Sequence, residues 1–262
     1  MPNHVKNIIT IQAEGERLEE ILSAIKDDKL EIGSIDFNKI IPMPEELNIE
    51  KGSDSTKGFE MFIKYVEKTA AIKEFVNEQP LTPERLKYAQ EQKESVIKSL
   101  NNMSEEDKRL FQLGKQMFDN IDKYGYSDWY EWSIANWDTK WNAYDMGFDG
   151  KNTLCFYTAW SAPENVIRTL ATKYPEIGIN HRWADEELGN NLGEREYKNG
   201  DIVYQHIPDS FSKEAYDIAF EIWGMAPEEC GLKLSAAGTE YIEIDEEETP
   251  LLPEADEEEF EL

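Results

Sequence analysis

Residues 129–163 read WYEWSIANWDTKWNAYDMGFDGKNTLCFYTAWSAP and contain five of the seven tryptophans of the chain. Polar side chains, among them Asn136 and Asp145, stand between the large rings. A tryptophan buries a large apolar area, and its indole N–H needs a hydrogen-bond acceptor. Such a mixture is typical either of a packed interior or of a recognition surface.

The end of this stretch predicts a central strand. Residues 154–160 are apolar on both sides of an extended chain, which is typical of a strand buried on both faces. The following Ser161-Ala162-Pro163-Glu164 has the pattern of a capping box that begins a helix. Working outward, hydrophobic periodicity predicts strands at 5–11, 37–41 and 177–183 and helices at 18–25 and 164–174. Asn199-Gly200 predicts a hairpin turn between strands at 194–198 and 202–207.

Residues 58–124 have the pattern of a wholly helical segment of about three helices, with N-cap signals at Thr82 and Ser104. Without this segment the elements follow the order strand, helix, strand, strand, helix, strand. That order is the split βαβ, or ferredoxin-like, arrangement. The predicted fold is therefore α+β, with a ferredoxin-like antiparallel sheet in residues 1–57 and 125–245, a helical insertion at 58–124, and an acidic, disordered C-terminal tail at 246–262.

Charge is the most unusual property of the composition. The chain has 27 Lys and Arg against 55 Asp and Glu, a formal net charge of −28. Such a chain repels nucleic acid and anionic membrane, because binding to phosphates depends on Lys and Arg. It attracts basic surfaces. We therefore expect a host protein with a basic surface as partner, with no direct nucleic-acid or membrane binding; improved solubility is the alternative explanation of the acidity.

The sequence offers little catalytic or metal-binding chemistry. His4, His181 and His206 are far apart, so no metal site and no cofactor is expected. A pairing of Cys155 with His181 on adjacent strands is the one nucleophile arrangement considered, and a buried core thiol is favoured over it.

The two cysteines, the absence of a signal-peptide pattern and the lack of an apolar run near ~20 residues predict a cytoplasmic protein.

Several motifs resemble the YubB ferredoxin-like family of plasmid and phage proteins. They are the opening MPNHVKN, IPMP at 41–44, NWDTKWNA at 136–143, FYTAWSAP at 156–163, Tyr174-Pro175 and YKNG at 197–200. The resemblance covers roughly residues 1–57 and 125–224, and His4 departs from the aromatic residue expected at its position. It implies a ferredoxin-like sheet and a mobile-element origin, and it supplies no activity that can be transferred residue by residue.

Three functions remain open at this point. The first is a non-enzymatic phage or plasmid protein that inhibits a host defence protein, of restriction or CRISPR type, through an acidic surface that mimics nucleic acid. The second is an enzyme or a small-ligand binder that uses the tryptophan-rich stretch, and the third is a structural or assembly protein of the mobile element. The candidate binding residues are Trp137, Asp138, Lys140, Trp141, Asn142 and Trp160. The candidate acidic surface comprises Glu105, Glu106, Asp107, Glu246, Glu247, Glu248, Glu257, Glu258 and Glu259.

Overall fold

The computed structural model describes residues 3–77 and 82–244. The chain forms two compact units. We call Met1–Asp36 with Ala143–Leu262 the α+β unit, and Phe37–Asn142 the helical unit. The predicted tail at 246–262 lies outside the described residues.

The elements follow in chain order, with short 3-10 turns at Glu45–Leu47 and Pro227–Cys230. They are β1 (His4–Ile11), α1 (Gly15–Ile25), α2 (Phe37–Ile40), α3 (Ser53–Asn77), α4 (Pro83–Asn101), α5 (Glu105–Tyr124), α6 (Trp129–Trp137), β2 (Tyr144–Phe148), β3 (Thr153–Ala159), α7 (Glu164–Lys173), β4 (Gly178–Asp185), β5 (Leu192–Lys198), β6 (Asp201–His206), α8 (Lys213–Trp223), β7 (Leu232–Leu234) and β8 (Tyr241–Glu243).

The main sheet has the strand order β2-β3-β1-β4-β5-β6, and all its neighbours pair antiparallel. Its first four strands with α1 and α7 follow the chain order β1-α1-β2-β3-α7-β4, and β1 lies between β3 and β4. This is the ferredoxin-like arrangement. The predicted α+β fold class is confirmed; the β5–β6 hairpin extends the sheet, and α8 packs against one of its faces.

The predicted second strand at 37–41 was wrong. Phe37–Ile40 is a single helical turn, with Phe37 and Ile40 buried and the two residues between them exposed. A short apolar run fits a strand or a helical turn equally well by periodicity, and here the i, i+3 spacing decides. The second strand of the fold is β2, which begins at Tyr144 and follows the helical unit along the chain.

The helical unit extends beyond the predicted insertion of residues 58–124. It begins at Phe37 and ends at Asn142. The backbone N–H of Phe37 donates to Oδ1 of Asn142 at 2.9 Å, so its two ends are joined by a hydrogen bond. The three predicted helices are present as α3, α4 and α5, with the Thr82 and Ser104 side chains as their N-caps.

Two glycines allow α3 and α5 to approach closely. A Cβ on Gly58 would collide with the carbonyl oxygen of Leu110, and a Cβ on Gly114 would collide with the carbonyl oxygen of Gly58. Next to this crossing, Phe62 packs edge-on against Phe111, with ring centroids 5.2 Å apart. The glycines therefore set the distance at which the aromatic residues of the two helices meet.

Candidate binding cleft

The two faces of the sheet differ in how they are covered. Along β1, burial alternates strictly, with Val5 and Ile9 fully buried and Lys6 and Ile8 only partly buried. Helix α7 lies on the fully buried face, where Glu164 forms an ion pair with Arg195 of β5 at 2.5 Å. The other face, which we call the open face, carries α8, and its β1 residues Lys6 and Ile8 are only partly buried.

Helix α8 covers the β4 and β5 part of the open face. Ala215, Ala219 and Ile222 pack against Ala184 and Leu192 in one apolar cluster. Trp223 is the last residue of the helix, and Gly224 ends it with a left-handed backbone at φ 71°. This termination places the Trp223 ring at the margin of the covered region.

Trp223 lies over a cross-strand pair of the sheet. Lys6 of β1 is directly opposite Tyr157 of β3. The Tyr157 ring stacks on Trp223 with centroids 5.8 Å apart, and Nζ of Lys6 lies 5.7 Å from the Trp223 centroid. The indole N–H of Trp223 donates to the backbone oxygen of Asp185 at 3.0 Å. The ring is therefore held in place by hydrogen bonding as well as by stacking.

A cleft of about 420 Å³ opens beside this stack. It is lined by His4, Asp145, Tyr157, Glu186, Leu188, Trp223 and Met225. Its volume falls within the range of about 300–1,000 Å³ that is usual for ligand sites. All seven lining residues belong to the α+β unit.

A row of aromatic rings continues from the cleft toward β2. Tyr144 lies 6.0 Å from Tyr157 between ring centroids and packs edge-on against His4 at 5.7 Å. The Tyr144 hydroxyl and Nδ1 of His4 are 2.5 Å apart, a short hydrogen bond. The cleft therefore has a rigid aromatic border on its β2 side.

Two carboxylates stand at the cleft. Asp145 occupies a left-handed conformation, φ 47°, where the β2–β3 register shifts between Tyr144 and Gly147. β-Bulges of this kind redirect side chains and are frequent beside functional sites. Glu186 follows the end of β4, and both residues are exposed. Within residues 3–77 and 82–244, neither side chain has a hydrogen bond or an ion pair.

The electrostatics of the cleft keep its phenols neutral. Burial first, and then the charges of Asp145 and Glu186, raise the pKa of Tyr144 to about 12. Burial, with smaller effects from Cys155 and Asp145, also raises the pKa of Tyr157. Partial burial raises the pKa of the Cys155 thiol, although Lys6 opposes this. A thiol with a raised pKa is a poor nucleophile, so the geometry suits binding rather than cysteine chemistry.

Comparison with known proteins supports the fold of this unit. Residues 136–226 match the family model described as the ferredoxin-like domain in Api92-like protein. The matched segment covers about a third of the chain and runs from before β2 to just past α8. It contains six of the seven lining residues, all except His4 of β1.

The crystal structure of a protein api92 from Yersinia pseudotuberculosis is also similar, with a TM-score of 0.34 and 10% sequence identity. The similarity covers 80% of this chain and 99% of the Yersinia chain. Among curated proteins, no sequence matches this chain.

None of the six candidate binding residues lines the cleft. Five of them belong to the helical unit. Trp137 is buried there; its indole N–H donates to the backbone oxygen of Ile41 at 3.0 Å, and its ring packs edge-on against Trp132 and Phe37. These contacts are those of a core residue of the helical unit.

The residues after Trp137 close the C-terminal end of α6. Asp138 is the C-cap, in a left-handed conformation at φ 62°. Nζ of Lys140 lies 4.6 Å from the Trp141 ring centroid and 5.8 Å from that of Tyr130. Asn142 accepts the hydrogen bond from Phe37 described above. Local packing therefore accounts for much of the polar pattern in this part of the stretch.

Trp160, the sixth candidate, belongs to the α+β unit. It is 39% exposed and has a left-handed backbone at φ 76°. Its backbone N–H donates to Asn3 at 2.9 Å, and its carbonyl oxygen accepts from the Asn191 side chain at 2.9 Å. The ring stays partly accessible just beyond the end of β3.

The acidic residues predicted on α5 form local ion pairs. Glu105 contacts Lys108 at 2.6 Å, Glu106 contacts Arg109 at 2.7 Å, and Asp107 accepts from the N-cap Ser104 hydroxyl. The hydrogen bond from Arg109 lowers the pKa of Glu106. Acidic side chains in the first turn also stabilise a helix through its dipole. The other six residues of the predicted acidic surface lie outside the described residues.

His181 and Cys155 do not form a catalytic pair. Their strands, β4 and β3, are separated by β1, and Cys155 is opposite Ile8 whereas His181 is opposite Ile9. The two side chains therefore point to opposite faces of the sheet. The pairing on adjacent strands, which was disfavoured from the sequence, is thus absent, because β1 lies between β3 and β4.

The described part of the chain contains no group of three or more His, Cys, Asp or Glu side chains placed to hold a metal ion. Within the same part, no helix has the length and apolar character needed to cross a bilayer.

The cleft residues were missed for an identifiable reason. Asp145 was singled out in the sequence for its aromatic surroundings, but Glu186, Tyr157 and Trp223 were assigned to no site. They come from three separate regions of the chain, and no local spacing relates them. Only the sheet register and the end of α8 bring them together.

Proposed function

We propose that this protein is a non-enzymatic binding protein that engages a basic surface on a host protein in the cytoplasm. The observation that carries this proposal is the uneven distribution of charge. Residues 1–36 and 143–244 hold 26 Asp and Glu against 12 Lys and Arg, whereas residues 37–142 hold 19 against 15. Residues 245–262 add 10 acidic residues and no basic one. The acidic excess thus belongs to the α+β unit and the tail.

This distribution moves the proposed contact away from α5. The helical unit is nearly balanced in charge, and its Glu105 to Asp107 cluster is engaged in local pairs. Exposed ion pairs of this kind stabilise little, yet they leave less charge available to a partner. The α+β unit and the C-terminal residues are therefore the better candidates for the partner surface.

The partner class follows from the same chemistry. Carboxylates placed like phosphates pair with Arg and Lys through charge-assisted hydrogen bonds, and complementary charge raises the rate of association. Basic surfaces of this kind commonly serve to bind nucleic acid. Together with the resemblance to the YubB family of plasmid and phage proteins, this supports a more specific proposal: inhibition of a nucleic-acid-binding defence protein, of restriction or CRISPR type, by mimicry of nucleic acid.

The test is affinity capture of the tagged full chain from host lysate at low and high salt, followed by mass spectrometry. We expect one dominant nucleic-acid-binding protein at low salt, its loss at high salt, and competition by added DNA or RNA. A partner retained at high salt and insensitive to nucleic acid would contradict the proposal.

The cleft favours a second candidate, a small-ligand-binding protein. Its volume and its aromatic border support a preformed site, although its lining includes none of the six candidate binding residues named from the sequence. A screen of small molecules by thermal shift tests it. A hit whose stabilisation disappears in Trp223→Ala, while that variant unfolds cooperatively, would favour this candidate over a protein partner.

A further inference from the structure

We propose that the cleft receives the side chain of an arginine presented by the basic partner. This inference rests on the proposed function and names the contact that would give it specificity. It is argued from three properties of the cleft: its aromatic surfaces, its unpaired carboxylates and the sign of its charge.

The aromatic surfaces suit a planar cation. Guanidinium groups stack on aromatic rings and are more weakly hydrated than ammonium groups. Trp223 and Tyr157 supply such rings at the cleft, and Lys6 already places its ammonium group 5.7 Å from the Trp223 centroid. A cation is therefore compatible with the π-system that the ligand would meet.

The carboxylates at the cleft are available for a ligand. Elsewhere in the α+β unit, carboxylates of the helices pair with arginines of the sheet: Glu164 with Arg195, and Glu221 with Arg182 at 2.8 Å. Asp145 and Glu186 have no such partner within the described residues, and both are exposed at the cleft. A guanidinium carries five N–H donors and matches carboxylates with two parallel hydrogen bonds.

The sign of the charge excludes the usual ligand of an open ferredoxin-like face. Such sheets bind single-stranded RNA by stacking bases on aromatic side chains. Here the seven lining residues include two carboxylates and neither Lys nor Arg. Lys6, whose ammonium group lies over the Trp223 ring, carries one positive charge and offsets only part of that negative charge. A phosphate backbone would be repelled, whereas an arginine would be attracted.

The experiment uses the full chain and two blocked pentapeptides, Gly-Gly-Arg-Gly-Gly and the same peptide with citrulline in place of arginine. Citrulline keeps the size and planarity of the side chain without its charge. Binding is followed by ¹⁵N NMR, with the indole N–H of Trp223 as reporter. We expect the arginine peptide to shift that signal and to bind on the order of tenfold more tightly than the citrulline peptide, and Asp145→Asn with Glu186→Gln to remove the difference.

The matched control is Glu16→Gln with Glu19→Gln on α1, which changes the net charge equally. Arg17, which follows Glu16 in the chain, contacts Tyr174 at the C-cap of α7, on the helix-covered side of the sheet. The control should bind the arginine peptide as the unaltered chain does. Equal binding of the two peptides, or equal loss in the control and the cleft variant, would overturn the inference.

The outcomes separate this inference from the function on which it rests. If the cleft variant still captures a salt-sensitive basic partner with unchanged affinity, the cleft inference fails and the proposed function stands. If the arginine peptide binds at the cleft but no basic partner is captured, the cleft inference holds and the proposed function fails.

Discussion

Trp137 and Trp223 show how one residue type serves two different purposes in this chain. Trp137 is 4% exposed, and its indole N–H donates a hydrogen bond to the backbone oxygen of Ile41 within the helical unit. Trp223 also satisfies its indole N–H, on Asp185, but one end of its ring borders a cleft. Residue identity and local density of tryptophans therefore do not distinguish a core residue from a site residue. The two are distinguished by whether the ring is enclosed by other side chains or borders the cleft.

The first prediction concerns Trp137. Trp137→Phe removes the hydrogen bond to Ile41 and part of the buried ring, so it should lower the free energy of unfolding by about 1–3 kcal/mol. Urea unfolding measures this. The same variant should leave binding of the arginine peptide unchanged. A stability equal to that of the unaltered chain would show that Trp137 is not a core residue.

His181 is a buried titratable residue that should make the stability of the protein depend on pH. Its Nε2–H donates to Oδ1 of Asn7 at 3.0 Å, and Nδ1 has no hydrogen-bond partner in the described part of the chain. Asn7 in turn donates to Oγ1 of Thr158 at 2.8 Å. Complete burial, with a smaller effect from Arg195, lowers the pKa of His181 to about 3.

The second prediction follows from this shift. The unfolded chain binds the His181 proton near pH 6.5, whereas the folded chain binds it only near pH 3. Between these values the proton favours the unfolded state, so stability falls with decreasing pH by about 1.4 kcal/mol per pH unit from this group. His181→Gln keeps a donor for Asn7 but does not titrate.

Urea unfolding of both chains at pH 7, 6, 5 and 4 tests the prediction. The unaltered chain should lose stability more steeply than His181→Gln below pH 6.5. Parallel curves over this range would contradict the assignment of His181 as a buried neutral side chain.

At the scale of elements, the crossing of α3 and α5 depends on the absence of two side chains. Gly58 and Gly114 face each other's backbone, and the contact has no room for a Cβ. Helical glycines are otherwise unfavourable by about 1 kcal/mol relative to alanine. Their presence here is explained by the close approach of the two backbones.

The third prediction is that Gly114→Ala destabilises the helical unit. The added methyl group gains helix propensity but forces the helices apart, with a net loss of about 1–3 kcal/mol. Gly52→Ala is the matched control, because nothing lies within 4 Å of the Cβ it would add. Thermal unfolding followed by circular dichroism should separate the two variants; equal transitions would contradict the close crossing.

At the scale of the whole molecule, charge governs solution behaviour. The α+β unit alone has more than twice as many acidic as basic residues. Like charges on a compact chain repel one another, and this repulsion destabilises the folded state. Salt screens it over about 10 Å at 0.1 M ionic strength.

The fourth prediction is that salt stabilises this protein. Raising NaCl from 10 to 200 mM should increase the Tm by a few degrees. Screening reduces the repulsion among the acidic side chains by more than it weakens the attraction within surface ion pairs. A variant with Glu14, Glu16, Glu19 and Glu31 changed to glutamine should show a smaller increase. A Tm that falls with added salt would mean that ion pairs outweigh the acidic excess.

The sequence by itself determined the fold class and most of its elements. The alternation along β1, interrupted at Ile8, the Asn199-Gly200 turn, with φ 51° and 81°, and the serine cap of α8 at Ser212 are local features that specify local structure. Each depends on neighbours within a few residues. Such signals remain readable even when a long helical unit interrupts the domain.

The tertiary structure alone decided the second strand and the site. The sequence of β2 lacks strand periodicity, because the strand contains a bulge at Asp145 and a glycine at position 147. Hydrogen bonding to β3 is what makes this segment a strand. The cleft joins Tyr157 with Glu186 and Trp223, which are distant along the chain. The charge and the ring stacking that define it exist only between these residues, and chain folding, not spacing, brings them together.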